Sequence, residues 1–137
     1  MYVVNQTRGT FLGVDIKRAG GFRARLIGLY RHRNLSLGDG VWLVPCRGIQ
    51  TVGMRTAIDV VFLNAERRVI RIYNELPPSR VILWVPGAYS ALEVPAGAVR
   101  SSETSVGDIL RFADTLPVGV TGVPDEGRRD SLSPTHV

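Results

Sequence analysis

PCRGIQTVGMRTAIDVVFLN, residues 45–64, ends in the most apolar short run of the chain. Residues 58–63, IDVVFL, are mostly β-branched or aromatic, which predicts a strand buried on both faces. Asp59 stands inside this run, and a buried carboxylate without a hydrogen bond or ion pair costs several kcal/mol. Asp59 is therefore either a structural anchor or a functional group.

Length and composition indicate one globular domain. The chain has 137 residues, is 45% hydrophobic and 21% charged, and has no apolar stretch near the roughly 18 residues of a membrane helix. One cysteine, Cys46, excludes an internal disulfide and a metal site made of several cysteines. The first residues lack the charged and apolar regions of a signal peptide, so a cytoplasmic location is predicted.

The net charge of +5 is unevenly distributed along the chain. Residues 1–38 hold seven Lys or Arg and one acid, residues 39–114 hold eight of each sign, and residues 115–137 have a charge of −1. Sixteen of the seventeen basic residues are arginine, a bias that guanidinium chemistry or a GC-rich genome would produce. The first third is thus the part expected to attract an anion.

Short alternating runs separated by Gly and Pro predict strands through most of residues 1–114. The spacing favours a mainly β domain, on the margin of α+β, in the form of a small antiparallel β-barrel or sandwich. Asp39-Gly40 is a strong hairpin signal, and Trp42 and Trp84 are both predicted to lie in strands. The predicted strands are 3–6, 10–16, 41–45, 49–52, 57–63, 68–73, 81–85, 91–94 and 108–112.

Two segments differ from this β pattern. Residues 22–33 place apolar side chains at helical spacing, which predicts one amphipathic helix after the first strands. Its polar face would be either a solvated surface or a contact surface for an anion or nucleic acid. Residues 115–137 are rich in Gly, Pro and Ser and are predicted to form a flexible tail. The basic residues of the predicted helix are Arg23, Arg25, Arg31 and Arg33.

A set of short motifs occurs along the chain in a fixed order. Together they resemble the uncharacterised prokaryotic family catalogued as domain of unknown function 192, over about residues 10–113. The resemblance implies a compact, mainly β domain with one helix after the first strands, and it implies no agreed activity. The motifs are RLIGL (25–29), Pro45-Cys46, Thr51, GMR (53–55), IDVVFL (58–63), LPP (76–78), LEVPAG (92–97) and Gly107-Asp108.

This chain departs from the family pattern at Gln50, where many relatives have a histidine. Glutamine forms hydrogen bonds but does not titrate near neutral pH, so a Cys–His pair with Cys46 is in doubt. The two histidines, His32 and His136, have no local signature that places them near the thiol. No metal site and no cofactor are predicted, because the acids show no ligand spacing that selects an ion.

The strongest site candidates are polar residues of these motifs. One interpretation is a shallow pocket in which Arg55 binds an anionic group, Asp59 or Glu93 orients it, and uncharged side chains add hydrogen bonds. The structural alternative is that the acids accept backbone N–H groups of neighbouring loops. The candidate ligand-binding residues are Arg55, Asp59, Gln50, Thr51, Glu93 and Asp108.

The leading functional hypothesis is a non-enzymatic binding or accessory domain. Its partner would be an anionic small molecule or protein, with nucleic acid as an alternative and no membrane contact. A second hypothesis is a small hydrolase or transferase that uses Asp59 or Glu93 as general base, with Arg55 stabilising an anion. A third is a module that binds a partner strand at an exposed sheet edge.

Overall fold

The computed structural model describes residues 1–20 and 35–118. Within these two ranges the chain forms ten strands and one short helix, α1 (Ala98–Ser101). The strands are β1 (Tyr2–Asn5), β2 (Thr10–Gly13), β3 (Asp15–Ala19), β4 (Asp39–Leu43), β5 (Ile49–Gln50), β6 (Ile58–Leu63), β7 (Val69–Leu76), β8 (Val81–Ile82), β9 (Ser90–Pro95) and β10 (Leu110–Ala113).

The strands form three sheets, which confirms the mainly β prediction. A central sheet has the order β3-β4-β9-β6-β7, a three-stranded sheet the order β10-β1-β2, and β5 pairs with β8. The pairing of β3 with β4 is parallel, and the other pairings are antiparallel. These ten strands do not close into a barrel, so the barrel form of the prediction is not found.

Strand β6 is the centre of the core. All six of its residues are buried, as the run of apolar residues predicted. Successive side chains of a strand point to opposite faces, and β6 therefore contributes to two hydrophobic clusters. Val60 and Phe62 pack in one cluster with Val85, and Val61 packs in the other with Val3 of the three-stranded sheet.

The two clusters show what covers the central sheet. On one face lies the three-stranded sheet, which contributes Val3, Leu12 and Leu110 to the core. On the other face lies a two-stranded ribbon, which we define as residues 46–52 and 80–89, joined by the pairing of β5 with β8. The core is thus a central sheet with a β layer on one side and the ribbon on the other.

The structure corrects the hairpin prediction at Asp39-Gly40. The turn comes earlier, since the amide of Asp39 donates to the carbonyl of Ser36 at 2.9 Å. Asp39 and Gly40 are the first residues of β4, which runs parallel to β3. Parallel neighbours cannot be joined by a tight hairpin, and residues 20–38 make the connection instead.

Three other predictions have different outcomes. The predicted helix at 22–33, with Arg23, Arg25, Arg31 and Arg33, lies outside the described residues, as do residues 119–137 of the predicted tail. Helix α1 was not predicted. Trp42 lies in β4 and is buried, but Trp84 lies beyond the end of β8 and is 63% exposed.

In the described part of the chain, no helix has the length and apolar character needed to span a bilayer.

Gly40 allows β4, β3 and β9 to pack closely. A Cβ atom at this position would lie 2.6 Å from the carbonyl oxygen of Glu93 and 2.7 Å from Cδ1 of Ile16. Because the first of these atoms belongs to a paired backbone, we expect Gly40→Ala to lower the free energy of unfolding by about 1–3 kcal/mol through overpacking. Chemical denaturation would measure the change. An unaltered denaturation midpoint would show that β9 moves away without cost.

Candidate functional site

Asp59 lies in β6 and is fully buried. Its carboxylate accepts three backbone N–H groups, from Glu75 at 2.8 Å and from Gly97 and Val99 at 3.0 Å each. These donors belong to the end of β7, the loop after β9 and the single turn of α1. The hydrogen bonds confirm the structural alternative for this residue, that the acid accepts backbone N–H groups of neighbouring loops.

Glu93 is also fully buried, but the central sheet separates it from Asp59. In the pairing of β6 with β9, Asp59 is opposite Val94 and Glu93 is opposite Val60. Paired residues share a face, so the two acids project to opposite faces of the sheet. One pocket therefore cannot contain both carboxylates.

Asp108 lies at a third place, before β10. Its carboxylate accepts hydrogen bonds from Nδ2 of Asn5 at 2.9 Å, Nε of Arg8 at 3.1 Å and the amide of Ser105 at 2.9 Å. Burial raises the pKa of Asp108, but these donors and the charge of Arg8 outweigh that effect and hold the pKa below its ordinary value. The group fastens the loop before β10 to the end of β1.

The other candidates lie in or next to the ribbon. Thr51 is buried, and its hydroxyl donates to the carbonyl of Pro77 and accepts from the amide of Arg80, both at 2.8 Å. Oε1 of Gln50 accepts from the amide of Val52 at 2.7 Å. Arg55 is exposed and has no carboxylate within 4.0 Å among the described residues. The six candidates therefore do not form one pocket, and Gln50, Thr51 and Arg55 are grouped here.

The ribbon presents an apolar patch that the sequence patterns did not reveal. We define the apolar patch as five large, exposed side chains of the ribbon. Their exposures, up to 87%, are unusual for apolar groups of this size in one short segment. The members are Val52 (52%), Val81 (58%), Leu83 (87%), Trp84 (63%) and Tyr89 (48%).

Backbone contacts hold the ribbon that carries this patch. The amide of Val85 donates to the carbonyl of Arg47, and the amide of Cys46 donates to the carbonyl of Tyr89, both at 2.8 Å. At Gly48 the facing backbone passes so close that a Cβ atom would lie 2.5 Å from the carbonyl oxygen of Ile82. Only glycine fits between these two segments without moving the backbone of residues 82 and 83.

The segments that carry the apolar patch contain charged residues of one sign only. Residues 45–58 and 77–89 contain three arginines and no Asp or Glu. Arg47, Arg55 and Arg80 are exposed. None of them has a carboxylate within 4.0 Å in the part of the chain that the structure describes. The ribbon and the residues next to it therefore combine exposed apolar side chains with arginines that form no ion pair within the described residues.

The described residues contain no cluster of three or more His, Cys, Asp or Glu side chains that could hold a metal ion. Cys46, the one cysteine, is buried, and its Sγ contacts the carbonyl oxygen of Gly48 at 3.0 Å.

Sequence comparison relates the chain to uncharacterised proteins. The family model DUF192, described as "Uncharacterized ACR", matches residues 3–112. UPF0127 protein PF1050 of Pyrococcus furiosus is 28% identical over 116 residues, which cover 80% of this chain and 97% of that protein. UPF0127 protein TK1120 of Thermococcus kodakarensis is 26% identical over 118 residues, 82% of this chain and 74% of that protein.

Two crystal structures share the fold. A protein of unknown function from Novosphingobium aromaticivorans superposes with a TM-score of 0.67 at 17% identity, covering 81% of this chain and 82% of its own. A putative transcription regulator from Sinorhizobium meliloti gives a TM-score of 0.66 at 17% identity, covering 80% of this chain and 89% of its own. Likeness at this level of identity extends to the fold alone.

The hydrogen bonds of Asp59 predict a large effect of substitution. In Asp59→Asn, one carboxylate oxygen is replaced by an NH₂ group that would face backbone donors. We expect the free energy of unfolding to fall by about 2–4 kcal/mol, since buried N–H groups lose their acceptor. Chemical denaturation measures this. Asp39→Asn, which affects a single 3.2 Å contact with the amide of Ser36, is the control and should cost much less.

The lowered pKa of Asp108 predicts a pH dependence of stability. A group whose pKa is lower in the folded chain stabilises it above the unfolded pKa of about 4, and that stability is lost as the pH falls through the folded pKa. We expect Asp108→Asn to be less stable at pH 7 and to lose less stability than the unmutated chain between pH 5 and pH 2. Thermal melting across this range is the measurement.

Asp15→Asn is the matched control for that series. Asp15 has an exposed carboxylate that pairs with Lys17 at 3.1 Å, and such surface pairs contribute little. Its pH profile should follow that of the unmutated chain. If the pH profile of stability of Asp108→Asn also follows that of the unmutated chain, the assignment of acid sensitivity to Asp108 is wrong.

Proposed function

The chain belongs to the uncharacterised DUF192 family (UPF0127), whose name assigns no reaction, and we propose a function for it from its own surface. We propose that it is a non-enzymatic binding domain that docks an acidic polypeptide segment on the apolar patch and its surrounding arginines. The exposure of five large apolar side chains on one ribbon is the observation that carries this proposal.

The apolar side chains supply the reason for docking. Contiguous apolar surface on a folded domain marks an interaction site more often than a solvated face. Leu83 is 87% exposed and Trp84 63% exposed, and both lie on a segment whose backbone is fixed by the ribbon contacts. Tryptophan, tyrosine and arginine are the residues that most often dominate binding energy at protein interfaces. The apolar patch and its arginines contain all three.

The arginines determine the chemistry of the partner. Arg47, Arg55 and Arg80 lie in or next to the ribbon, and residues 45–58 and 77–89 contain no Asp or Glu. A second copy of the chain would bring the same positive surface against itself, which is unfavourable in a symmetric dimer. A segment that combines acidic and apolar side chains would satisfy both the charges and the exposed apolar area.

The proposal retains part of the interpretation made from the sequence. Arg55 keeps its role as an anion contact, with Gln50 and Thr51 shaping the loop that carries it. We assign Asp59 a structural role instead, because both oxygens of its carboxylate accept hydrogen bonds from backbone N–H groups. The basic surface of residues 22–33 lies outside the described residues and stays a prediction.

The enzymatic alternative gains no support from the geometry. A general base has to reach a proton of its substrate directly or through one water molecule. Asp59 and Glu93 are both 0% exposed and lie on opposite faces of the central sheet. The two acids therefore cannot act together at one open site.

Defined polymers test the docking proposal. We expect the protein to bind a random copolymer of glutamate and tyrosine, to bind polyglutamate more weakly, and not to bind a lysine–tyrosine copolymer. The affinity should fall as salt is added, since exposed charges are screened. Isothermal titration at low salt gives the affinities. No binding of the glutamate–tyrosine copolymer would overturn the proposal.

Matched variants locate the binding surface. Trp84→Ala and Leu83→Ser should weaken binding of the copolymer, whereas Val106→Ser, at a side chain that is 61% exposed outside the ribbon, should not. Arg80→Glu should weaken it more than Arg100→Glu, which changes an exposed arginine of α1. Equal effects within either pair would show that the ribbon is not the contact surface.

A further inference from the structure

Trp42 and Phe112 form an aromatic stack between two sheets. Trp42 lies in β4 of the central sheet and Phe112 in β10 of the three-stranded sheet. Their ring centroids are 3.8 Å apart, and the ring planes differ by 17°. The stack is distant in sequence from the ribbon, and no residue of the apolar patch belongs to it.

Two arginines lie against this stack. The guanidinium carbons of Arg18 and Arg67 are each 5.3 Å from the ring centroid of Trp42, and that of Arg67 is 5.6 Å from the centroid of Phe112. Because both distances share the centroid of Trp42, the two guanidinium groups can be no further apart than twice 5.3 Å. Cation–π contact of this kind fixes each group over an aromatic surface.

The positions of both arginines are set by the backbone. Arg18 is the register partner of Trp42 in the pairing of β3 with β4, so their side chains share a face. Arg67 ends the β6–β7 loop, where its amide donates to the carbonyl of Asn64 and its carbonyl accepts from the amide of Leu110, both at 3.0 Å. Arg18 is therefore held by strand pairing and Arg67 by the backbone hydrogen bonds of its loop.

The backbone of Arg67 is in the left-handed region, with φ of 64°. Hairpin loops of this kind ordinarily place glycine there, because a Cβ atom is unfavourable at positive φ. Replacing Arg67 with glycine would therefore remove the side chain without straining the turn.

Neither arginine is neutralised within the described chain. The ion pairs among the described residues are Arg8 with Asp108 and Lys17 with Asp15. Glu66 and Asp114, the acids next to this cluster in sequence, make no ion pair with Arg18 or Arg67 in this part of the structure. The arginine side chains that donate hydrogen bonds within the described residues are those of Arg8 and Arg68, so the N–H donors of Arg18 and Arg67 are not used in this part of the structure.

We propose that Arg18 and Arg67 together bind a phosphate group. Two guanidinium forks that contact the same indole ring and have no acid partner among the described residues favour one ligand with several negative oxygens, because each fork takes two oxygens in its plane. A carboxylate has two oxygens, which one fork already satisfies. A phosphate group has three or four, enough for both. The phosphate comes either from the free ion or from a nucleotide.

Isothermal titration with inorganic phosphate and with a nucleoside monophosphate tests the site, at constant ionic strength set with chloride. We expect the unmutated chain to bind at least one of them. Equal affinity for both indicates that the phosphate group alone is recognised, and tighter binding of the nucleotide identifies it as the source. Binding of neither would overturn the proposal.

Two variants separate the site from a structural role of the arginines. Arg67→Gly removes the guanidinium and gives the turn the residue it prefers, so Tm without ligand should not fall greatly, while the affinity falls roughly tenfold or more. Arg18→Gln should weaken binding by a similar factor. Undiminished binding by Arg67→Gly would contradict the proposal.

Lys17→Gln is the charge-matched control. It removes one positive charge from β3, as Arg18→Gln does, but from the opposite face of the strand. The proposal requires that this variant keep the affinity of the unmutated chain. An equal loss in Lys17→Gln and Arg18→Gln would show attraction by net charge alone, with no site at the aromatic stack.

Discussion

The carboxylate of Asp59 joins three parts of the chain that are far apart in sequence. Its two oxygens accept the amides of Glu75, Gly97 and Val99 from within the buried strand β6. The end of β7, the loop that leaves β9 and the start of α1 are thereby held at one point beside the central strand. A buried charge is tolerated there because its hydrogen bonds replace those it would make with water. The arrangement of these loops depends on that exchange.

The local features of the fold could be predicted from the sequence, whereas the long-range ones could not. The run at 58–63 was confirmed as a buried strand, and a buried acid at Asp59 had to accept hydrogen bonds. Which face each acid takes depends on the register of β6 against β9, and no local pattern contains that register. The same limit applies at Asp39-Gly40. Its sequence is typical of a hairpin turn, but the two residues pair in parallel with β3.

The candidate surfaces were missed for a related reason. Residues 81–85 are apolar and were predicted as a strand, but β8 ends at Ile82, and Leu83 and Trp84 remain exposed. Apolar sequence alone does not say whether another layer covers it. The sequence shows an excess of positive charge in residues 1–38. Whether an arginine forms an ion pair with an acid depends on the fold. Arg8 has Asp108 as a partner, whereas Arg18 has Trp42.

The link between β2 and β3 limits how the two main layers can move. Strand β2 ends at Gly13 and β3 begins at Asp15, so a single residue carries the chain from the three-stranded sheet to the central one. The amino group of Met1 and the amide of Ile16 add reciprocal hydrogen bonds near this crossing. Such a short tether holds the two layers close together at this crossing. Relative displacement of the two layers is therefore most restricted at this edge of the molecule.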